Sequence, residues 1–167
     1  MKIYTIDIRN FNYKLPDDVF YNQINKYNEK LHQTQHIVAW SFLYKLLKEE
    51  YNITDFTIYY NEYNKPYLKD IYFNISHSLN MVAIIISNEE CGIDIECLNE
   101  MKNKDALKKH FNVNSDEEFL TKWTKKEAYL KKVGTGIKIS SLYEDVKDIK
   151  TTIVEDNDKN IYYLSYC

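Results

Sequence analysis

Three carboxylates and an ammonium, carried on two short segments, are the residues of this sequence best equipped for chemistry. Asp94 and Glu96 lie in Gly92-Ile93-Asp94-Ile95-Glu96; Glu127 and Lys131 lie in Trp123-Thr124-Lys125-Lys126-Glu127-Ala128-Tyr129-Leu130-Lys131. Read as a strand, the first segment puts Cys91, Ile93, Ile95 and Cys97 on one face and Gly92, Asp94 and Glu96 on the other. The two acids then point the same way, roughly 6–7 Å apart at the backbone. Read as a helix, the second segment stacks Trp123, Glu127 and Lys131 along one side through their spacing of four. Three hard oxygen donors suggest a divalent ion. Magnesium suits them, because it uses few protein carboxylates and takes its other ligands from water and substrate phosphates. The lysine one turn from Glu127 implies an anionic substrate.

Taken singly, these features are commonplace. Asp-x-Glu on a strand is usually a solvated face, and a Glu–Lys pair four apart is usually a surface ion pair contributing tenths of a kcal/mol. Their combination is far less common. Gly134-Thr135-Gly136 follows the helix, where glycines either serve a site by close backbone approach or simply cap the helix. A second cluster, Ser76-His77-Ser78, ends an apolar strand pattern from Ile71. Its hydroxyls and imidazole could bind a phosphate or could be a hydrogen-bonded turn. A serine-hydrolase triad is disfavoured, because no Gly-x-Ser-x-Gly elbow is present and sequence neighbours rarely form one.

The elements that must position these groups can be read along the chain. Met1–Ile8 alternates as a strand, and Pro16 could open a short helix through about Asn28. His32–Tyr51 carries Ile37, Trp40, Ser41, Leu43, Tyr44 and Leu47 at helical spacing, a core-packing stripe. Phe56–Tyr60 alternates as a strand and Asn61–Pro66 is turn-like. Ile71–Ser78 and Met81–Ile86 read as two strands joined by a bend. Asn88-Glu89-Glu90 marks a linker between halves, placing boundaries at 1–88 and 89–167. Ser115 with Glu118 matches a capping box before the motif helix. Two β segments, Asp148–Val154 and Ile161–Tyr166, flank the hairpin signal Glu155–Asn160.

Composition narrows the class. The 167 residues carry 22 Lys and Arg against 25 Asp and Glu, a net charge of −3, so no general basic field marks a nucleic-acid binder. A local concentration of Lys102, Lys104, Lys108, Lys109, Lys122 and Lys125 is either a solvated face or a docking surface for an acidic protein. The three cysteines cannot pair completely; Cys91 and Cys97 lie six apart on one strand, where a mutual disulfide is excluded. They indicate a reducing cytoplasm, and no Cys/His spacing resembles a zinc site. No apolar run approaches membrane-spanning length.

One ordered set of blocks is specific. Lys65-Pro66, Phe73-Asn74-Ile75-Ser76-His77-Ser78, Gly92-Ile93-Asp94-Ile95-Glu96, Trp123-Thr124-x-Lys126-Glu127-Ala128-x-x-Lys131 and Gly134-x-Gly136-Ile137 together resemble the 4′-phosphopantetheinyl transferases of the larger surfactin-synthetase-activating type. The resemblance implies an α+β fold of two similar α/β halves related by a pseudo-twofold axis, with coenzyme A in the cleft between them. It implies transfer of the phosphopantetheine arm from coenzyme A to a serine of an acidic acyl or peptidyl carrier protein, releasing adenosine 3′,5′-bisphosphate. It implies that Asp94, Glu96 and Glu127 hold magnesium on the pyrophosphate. Glu127 would also serve as base for the carrier serine, and Lys131 would neutralise charge on the reacting phosphate. Lys65, Pro66, Ser76 and His77 would meet coenzyme A.

The chain departs from the family pattern in three ways. Asn64 stands where glycine often precedes Lys-Pro, a mild change because Asn tolerates left-handed backbone. The arginine that often opens the long N-terminal helix is absent from Thr34-Gln35-His36; Lys26, Lys30 or His36 could replace it on the coenzyme A 3′-phosphate. The Glu96–Glu127 interval is short, and the sequence stops at Cys167 where relatives usually continue into a further strand. A monomer is expected, with dimerisation the alternative if a sheet edge is left open. Two rival readings remain at this stage: a degenerate relative that binds coenzyme A or a carrier without turnover, and an unrelated magnesium phosphotransferase or nuclease.

Overall fold

The chain is seen in a computed structural model whose described residues are 1–12, 20, 30–101, 104–135 and 146–167. Strand β1 (Lys2–Asp7) runs into a 3₁₀ turn, Ile8–Asn10, and helix α1 spans Lys30–Glu49. The short strands β2 (Tyr59–Tyr60) and β3 (Pro66–Tyr67) precede the hairpin β4 (Tyr72–Ser78) and β5 (Met81–Ser87). Then come β6 (Ile93–Cys97), α2 (Lys104–Phe111), α3 (Asp116–Val133) and the hairpin β7 (Lys150–Glu155) and β8 (Ile161–Tyr166). The molecule is thus mixed α and β. The two principal sheets are ordered β1-β5-β4 and β6-β8-β7, and every described pairing in them is antiparallel. In each, the first strand in sequence and the first arm of a later hairpin flank the hairpin's second arm.

The strand β5 explains the layering. Met81 through Ser87 is buried along its whole length, which requires cover on both faces. Its even-numbered residues, Val82, Ile84 and Ile86, share a core with Leu43 and Leu47 of α1 and Phe73 of β4. Its odd-numbered residues, Met81, Ala83 and Ile85, share another with Ile93 and Ile95 of β6 and Tyr162 and Leu164 of β8. The second core therefore lies between the two sheets. The far face of the second sheet is covered by α3, whose Phe119 and Leu120 pack with Tyr163. At Gly92 the helix backbone comes so close that an added Cβ would stand 1.9 Å from the Ala128 carbonyl oxygen.

An ionic clasp joins the turn after β1 to the β7–β8 turn. Arg9 is paired with Asp7 on its own turn and reaches Asp158, and it lies 3.5 Å from Asp156. Asp156 is buried at the start of the β7–β8 turn. It accepts bonds from the backbone amides of Asp158 and Asn160, the Asn160 amide and the Tyr162 hydroxyl (2.9 Å).

Several expectations change in detail. The long helix runs Lys30–Glu49 rather than His32–Tyr51, and of the strand expected at Phe56–Tyr60 only Tyr59–Tyr60 pairs. Residues 56–58 instead turn Phe56 and Ile58 toward the α1 core, and Phe56 stacks near Tyr44 at 4.6 Å. Within the lysine-rich segment, Lys104–Phe111 forms α2. Ser115 does cap α3, accepting from the Glu118 amide at 3.1 Å. Of the helix expected from Pro16 only Phe20 is described, packed on Trp40 at 4.9 Å. Lys26, Lys102, Gly136 and Ile137 lie outside the described residues.

Two measurements check this account. Gly92→Ala should lower stability by about 3 kcal/mol in urea unfolding, because the colliding atoms are helix backbone. A loss below about 1 kcal/mol would show that α3 can retreat freely. For Asp156, burial opposes ionisation, but bonds from Asn160 and Tyr162 hold its carboxyl well below the usual range. A depressed native pKa adds stability above the unfolded value of about 3.9 and loses it as pH falls further. Asp156→Asn should therefore destabilise by about 2 kcal/mol at pH 7, with the gap to wild type closing below about pH 4. A gap that widens in acid would remove Asp156 from the clasp.

Candidate active site

The site is built on the seam where β4 meets β6. Gly92 and Cys167 exchange backbone hydrogen bonds at 2.9 and 3.0 Å, so antiparallel alternation directs the amides of Ile93, Ile95 and Cys97 away from β8. Side chains of β4 receive them. The Ile93 amide donates to Asn74 Oδ1 (3.0 Å), the Ile95 amide to Ser76 Oγ (3.3 Å) and the Cys97 amide to Ser78 Oγ (3.0 Å). The two hydroxyls donate in turn to the carboxylates between those amides: Ser76 to Asp94 Oδ1 at 2.9 Å and Ser78 to Glu96 Oε2 at 3.1 Å.

Lys131 completes the centre from α3. Its ammonium donates to Asp94 Oδ1 at 2.7 Å and to Ser76 Oγ at 2.9 Å. The seating of α3 on Gly92 brings the ammonium within reach. Desolvation works against the Lys131 charge, but Asp94 outweighs it and raises the ammonium's pKa. Asp94 is 2% exposed, and its second oxygen, Oδ2, is buried with no hydrogen-bond partner. Glu127 and Glu96 are both pushed up to about 7, by burial first and then by the Asp94 charge. The centre therefore gathers more carboxylate than its one described ammonium balances.

A cation fits that chemistry. Asp94 Oδ2 is an orphaned hard donor, and the two strained carboxyls would be relieved by positive charge. The three acids are not gathered into a finished cage: among the described residues no group of three or more His, Cys, Asp or Glu stands ready to hold a metal. Magnesium needs less than that, since one or two carboxylates with water and phosphate satisfy it.

The residues expected to meet coenzyme A divide into two sets. Pro66 and His77 line one pocket of about 190 Å³ with His36, Trp40, Phe73 and Ile75. Burial, reinforced by His36, Lys131 and His32, lowers the His77 pKa to about 4, so its imidazole is neutral at pH 7. Lys65 and Ser76 are engaged otherwise. Lys65 Nζ donates to the carbonyls of Cys91 (2.9 Å) and Lys132 (2.8 Å), tying the last turn of α3 to the segment that leads into β6. Ser76 donates to Asp94 and accepts from Ile95 and Lys131, which uses a hydroxyl's full capacity.

Neighbouring features also resolve. Asn64 takes the left-handed conformation, φ 62°. Gly134 is the C-cap of α3 at φ 83°. Gln35, at the position considered for the missing arginine, is buried and donates to the Leu79 carbonyl at 2.9 Å, steadying the β4–β5 turn. On the basic segment, Lys104 and Lys108 both pair with Asp116, and Lys122 pairs with Glu118. Exposed Lys109 and half-buried Lys125 take no part in the described ion pairs. Sequence reasoning missed Asn74 and Ser78 as structural partners of β6; the polar alternation Asn74-x-Ser76-x-Ser78 was the available signal.

No family model matches the chain. Three curated relatives do. A protein of Aneurinibacillus migulanus named 4′-phosphopantetheinyl transferase gsp is 38% identical over 113 residues, covering 59% of this chain and 48% of the relative. A 4′-phosphopantetheinyl transferase of Bacillus subtilis is 31% identical, and 4′-phosphopantetheinyl transferase HetI of Nostoc is 33% identical; each match covers 47% of this chain and 41% of the relative. The chain spans about half the length of the curated relatives it matches. Over that shared stretch its sequence is similar to the 4′-phosphopantetheinyl transferases, the family its motif blocks resemble.

Proposed function

We propose that this chain transfers the 4′-phosphopantetheine arm of coenzyme A to a serine of an apo acyl or peptidyl carrier protein. The observation that carries the reading is the centre at the β4–β6 seam, where Asp94, Ser76 and Lys131 are hydrogen-bonded together beside two acids with raised pKa values. Likeness to three named transferases supports it.

In this reading the halves 1–88 and 89–167 are related by a pseudo-twofold axis, a relation supported by their shared strand order. Coenzyme A lies in the cleft between them, its nucleotide end toward the pocket of Pro66 and His77. Lys131 meets the reacting phosphate. Lys65 and Ser76 act by holding α3 and Asp94 in place. Asp94, Glu96 and Glu127 would hold magnesium, which when bound shields the charge of the pyrophosphate. Glu127, with its pKa near 7, takes the proton of the carrier serine, directly or through one water. The serine oxygen bonds to the phosphorus that carries the pantetheine; that phosphorus releases its bridging oxygen with adenosine 3′,5′-bisphosphate. Exposed Lys109 and half-buried Lys125 suit an acidic carrier surface. A cytoplasmic setting accords with the free cysteines, and no helix among the described residues is long and apolar enough to cross a membrane.

Intact-protein mass spectrometry of an apo carrier, incubated with this protein, coenzyme A and magnesium, should show one added phosphopantetheine mass, lost when a chelator is present. Glu127→Ala and Asp94→Ala should each slow transfer by at least about 10²-fold, the scale of a lost proton-transfer group. Folded variants with near-normal rates would remove these residues from the mechanism. Coenzyme A binding without transfer to any carrier class would favour a binding protein instead.

The electrostatic arrangement has a separate readout. Glu127 should titrate near pH 7 by carboxyl ¹³C NMR, and Asp94→Asn should move that midpoint downward, because a repelling charge is removed. An unchanged or higher midpoint would contradict the assigned role of Asp94.

A further inference from the structure

Each acid of β6 has one oxygen already in use. A carboxylate oxygen offers two lone pairs. Asp94 Oδ1 accepts from Ser76 Oγ at 2.9 Å and from the Lys131 ammonium at 2.7 Å, which fills both, whereas Oδ2 is buried and accepts nothing. Two residues on, Ser78 repeats the arrangement. Its hydroxyl accepts from the Cys97 amide at 3.0 Å and gives its only proton to Glu96 Oε2 at 3.1 Å, and no hydrogen bond among the described residues reaches Glu96 Oε1. Neither serine can turn away cheaply, because each also answers an amide of β6 that would otherwise be left unmet. One serine of β4 thus holds one acid of β6, twice, and one oxygen of each acid stays free.

We propose that Ser76 and Ser78 are specificity-determining residues for the metal: by holding one oxygen of Asp94 and one of Glu96 they let each acid give a cation a single oxygen, and so select a small ion of the magnesium type against calcium. This rests on Asp94 and Glu96 being metal ligands, as the transferase reading has them. Ligand number carries the discrimination. Calcium gathers about six to eight oxygens and can take both from one carboxylate, whereas magnesium keeps several waters and needs only one or two carboxylates beside phosphate. Two acids that each yield one oxygen serve the smaller ion and leave the larger one short. Asp94 is the stricter of the two, since Ser76 and Lys131 together exhaust Oδ1. On Glu96 the hydroxyl of Ser78 works by orientation, holding Oε2 against β4.

Manganese can stand in for magnesium and be followed without any turnover. Mn²⁺ bound to the intact chain loses its free-ion electron paramagnetic resonance signal, and Mg²⁺ or Ca²⁺ restores the signal by displacement. Wild type should release Mn²⁺ to Mg²⁺ at a concentration at least about fivefold below that needed with Ca²⁺. Ser76→Ala and Ser78→Ala should each shift that ratio toward Ca²⁺ by about fivefold or more, while Ser78→Thr, which keeps the hydroxyl, should preserve it. Folded alanine variants that weaken both ions alike would give the serines a structural role only and overturn the proposal, as would a wild type that prefers Ca²⁺. If the alanine variants fail to fold, infrared difference spectra of wild type carrying ¹³C in its aspartate carboxyls decide the matter, because Asp94 is the only aspartate among the three acids. Its carboxylate stretches should show the wide splitting of a one-oxygen ligand with Mg²⁺ and Ca²⁺ alike, and a narrow, two-oxygen splitting with Ca²⁺ would overturn the proposal. Failure of the metal reading itself has a different signature: wild type would leave the Mn²⁺ signal undiminished at every protein concentration, and the proposal would fall with it.

Discussion

Three backbone amides with nowhere else to go hold this molecule in register. Those of Ile93, Ile95 and Cys97 lie on the open side of β6, at the interior of the protein, where an unmet donor costs about 1–3 kcal/mol. Side chains of β4 at matching two-residue intervals meet all three. Side-chain acceptance does what a backbone ladder cannot do here. It joins two sheets without merging them, and its spacing admits only one alignment, since a shift by one residue would present Ile75 and His77 instead. The carboxylates of the site sit on the intervening residues, so the bonds that align the two sheets also fix Asp94 and Glu96.

The same economy concentrates unbalanced charge. Lys131 satisfies one oxygen of Asp94 and bonds the serine that satisfies it again, leaving the second oxygen bare. Around it two further carboxyls are held in conditions that favour their protonated forms. Crowding of carboxyls in a half-buried place is costly to a fold, and perturbed ionisation of this kind clusters at functional sites. Pre-organisation is supplied from the other side by α3, pressed onto Gly92 and held at its last turn by Lys65.

Much of this was readable in the chain. Parity alone separated Ile93 and Ile95 from Asp94 and Glu96, and the four-residue spacing put Glu127 and Lys131 on one side of α3. The capping residue Ser115 and the Gly134 stop were also local signals. What failed to show were partnerships between distant segments. The family resemblance casts Lys65 as a contact for coenzyme A, and nothing local reveals that the α3 carbonyls end beside it. Ser76 reads as a phosphate ligand for the same reason. Gln35 stood in a segment compared with an arginine, yet its amide is committed to the Leu79 carbonyl. The order of strands within the sheets, with the last hairpin arm in the middle, likewise depends on long-range pairing that periodicity does not encode.

That order bears on how the polypeptide acquires its shape during synthesis. In each sheet the strand that must sit centrally emerges from the ribosome after both of its neighbours. Neither β1 nor β4 can complete a sheet until β5 has left the exit tunnel, and β6 waits through two helices for β8. The chain's amino-terminal sheet can close once Ser87 is out, but its seam-facing serines then present hydroxyls to water until β6 arrives. Assembly therefore proceeds as two successive closures followed by docking, a sequence dominated by non-local pairing and correspondingly slow. The site is the last feature to exist, because it lies on the surface that only the docking step creates.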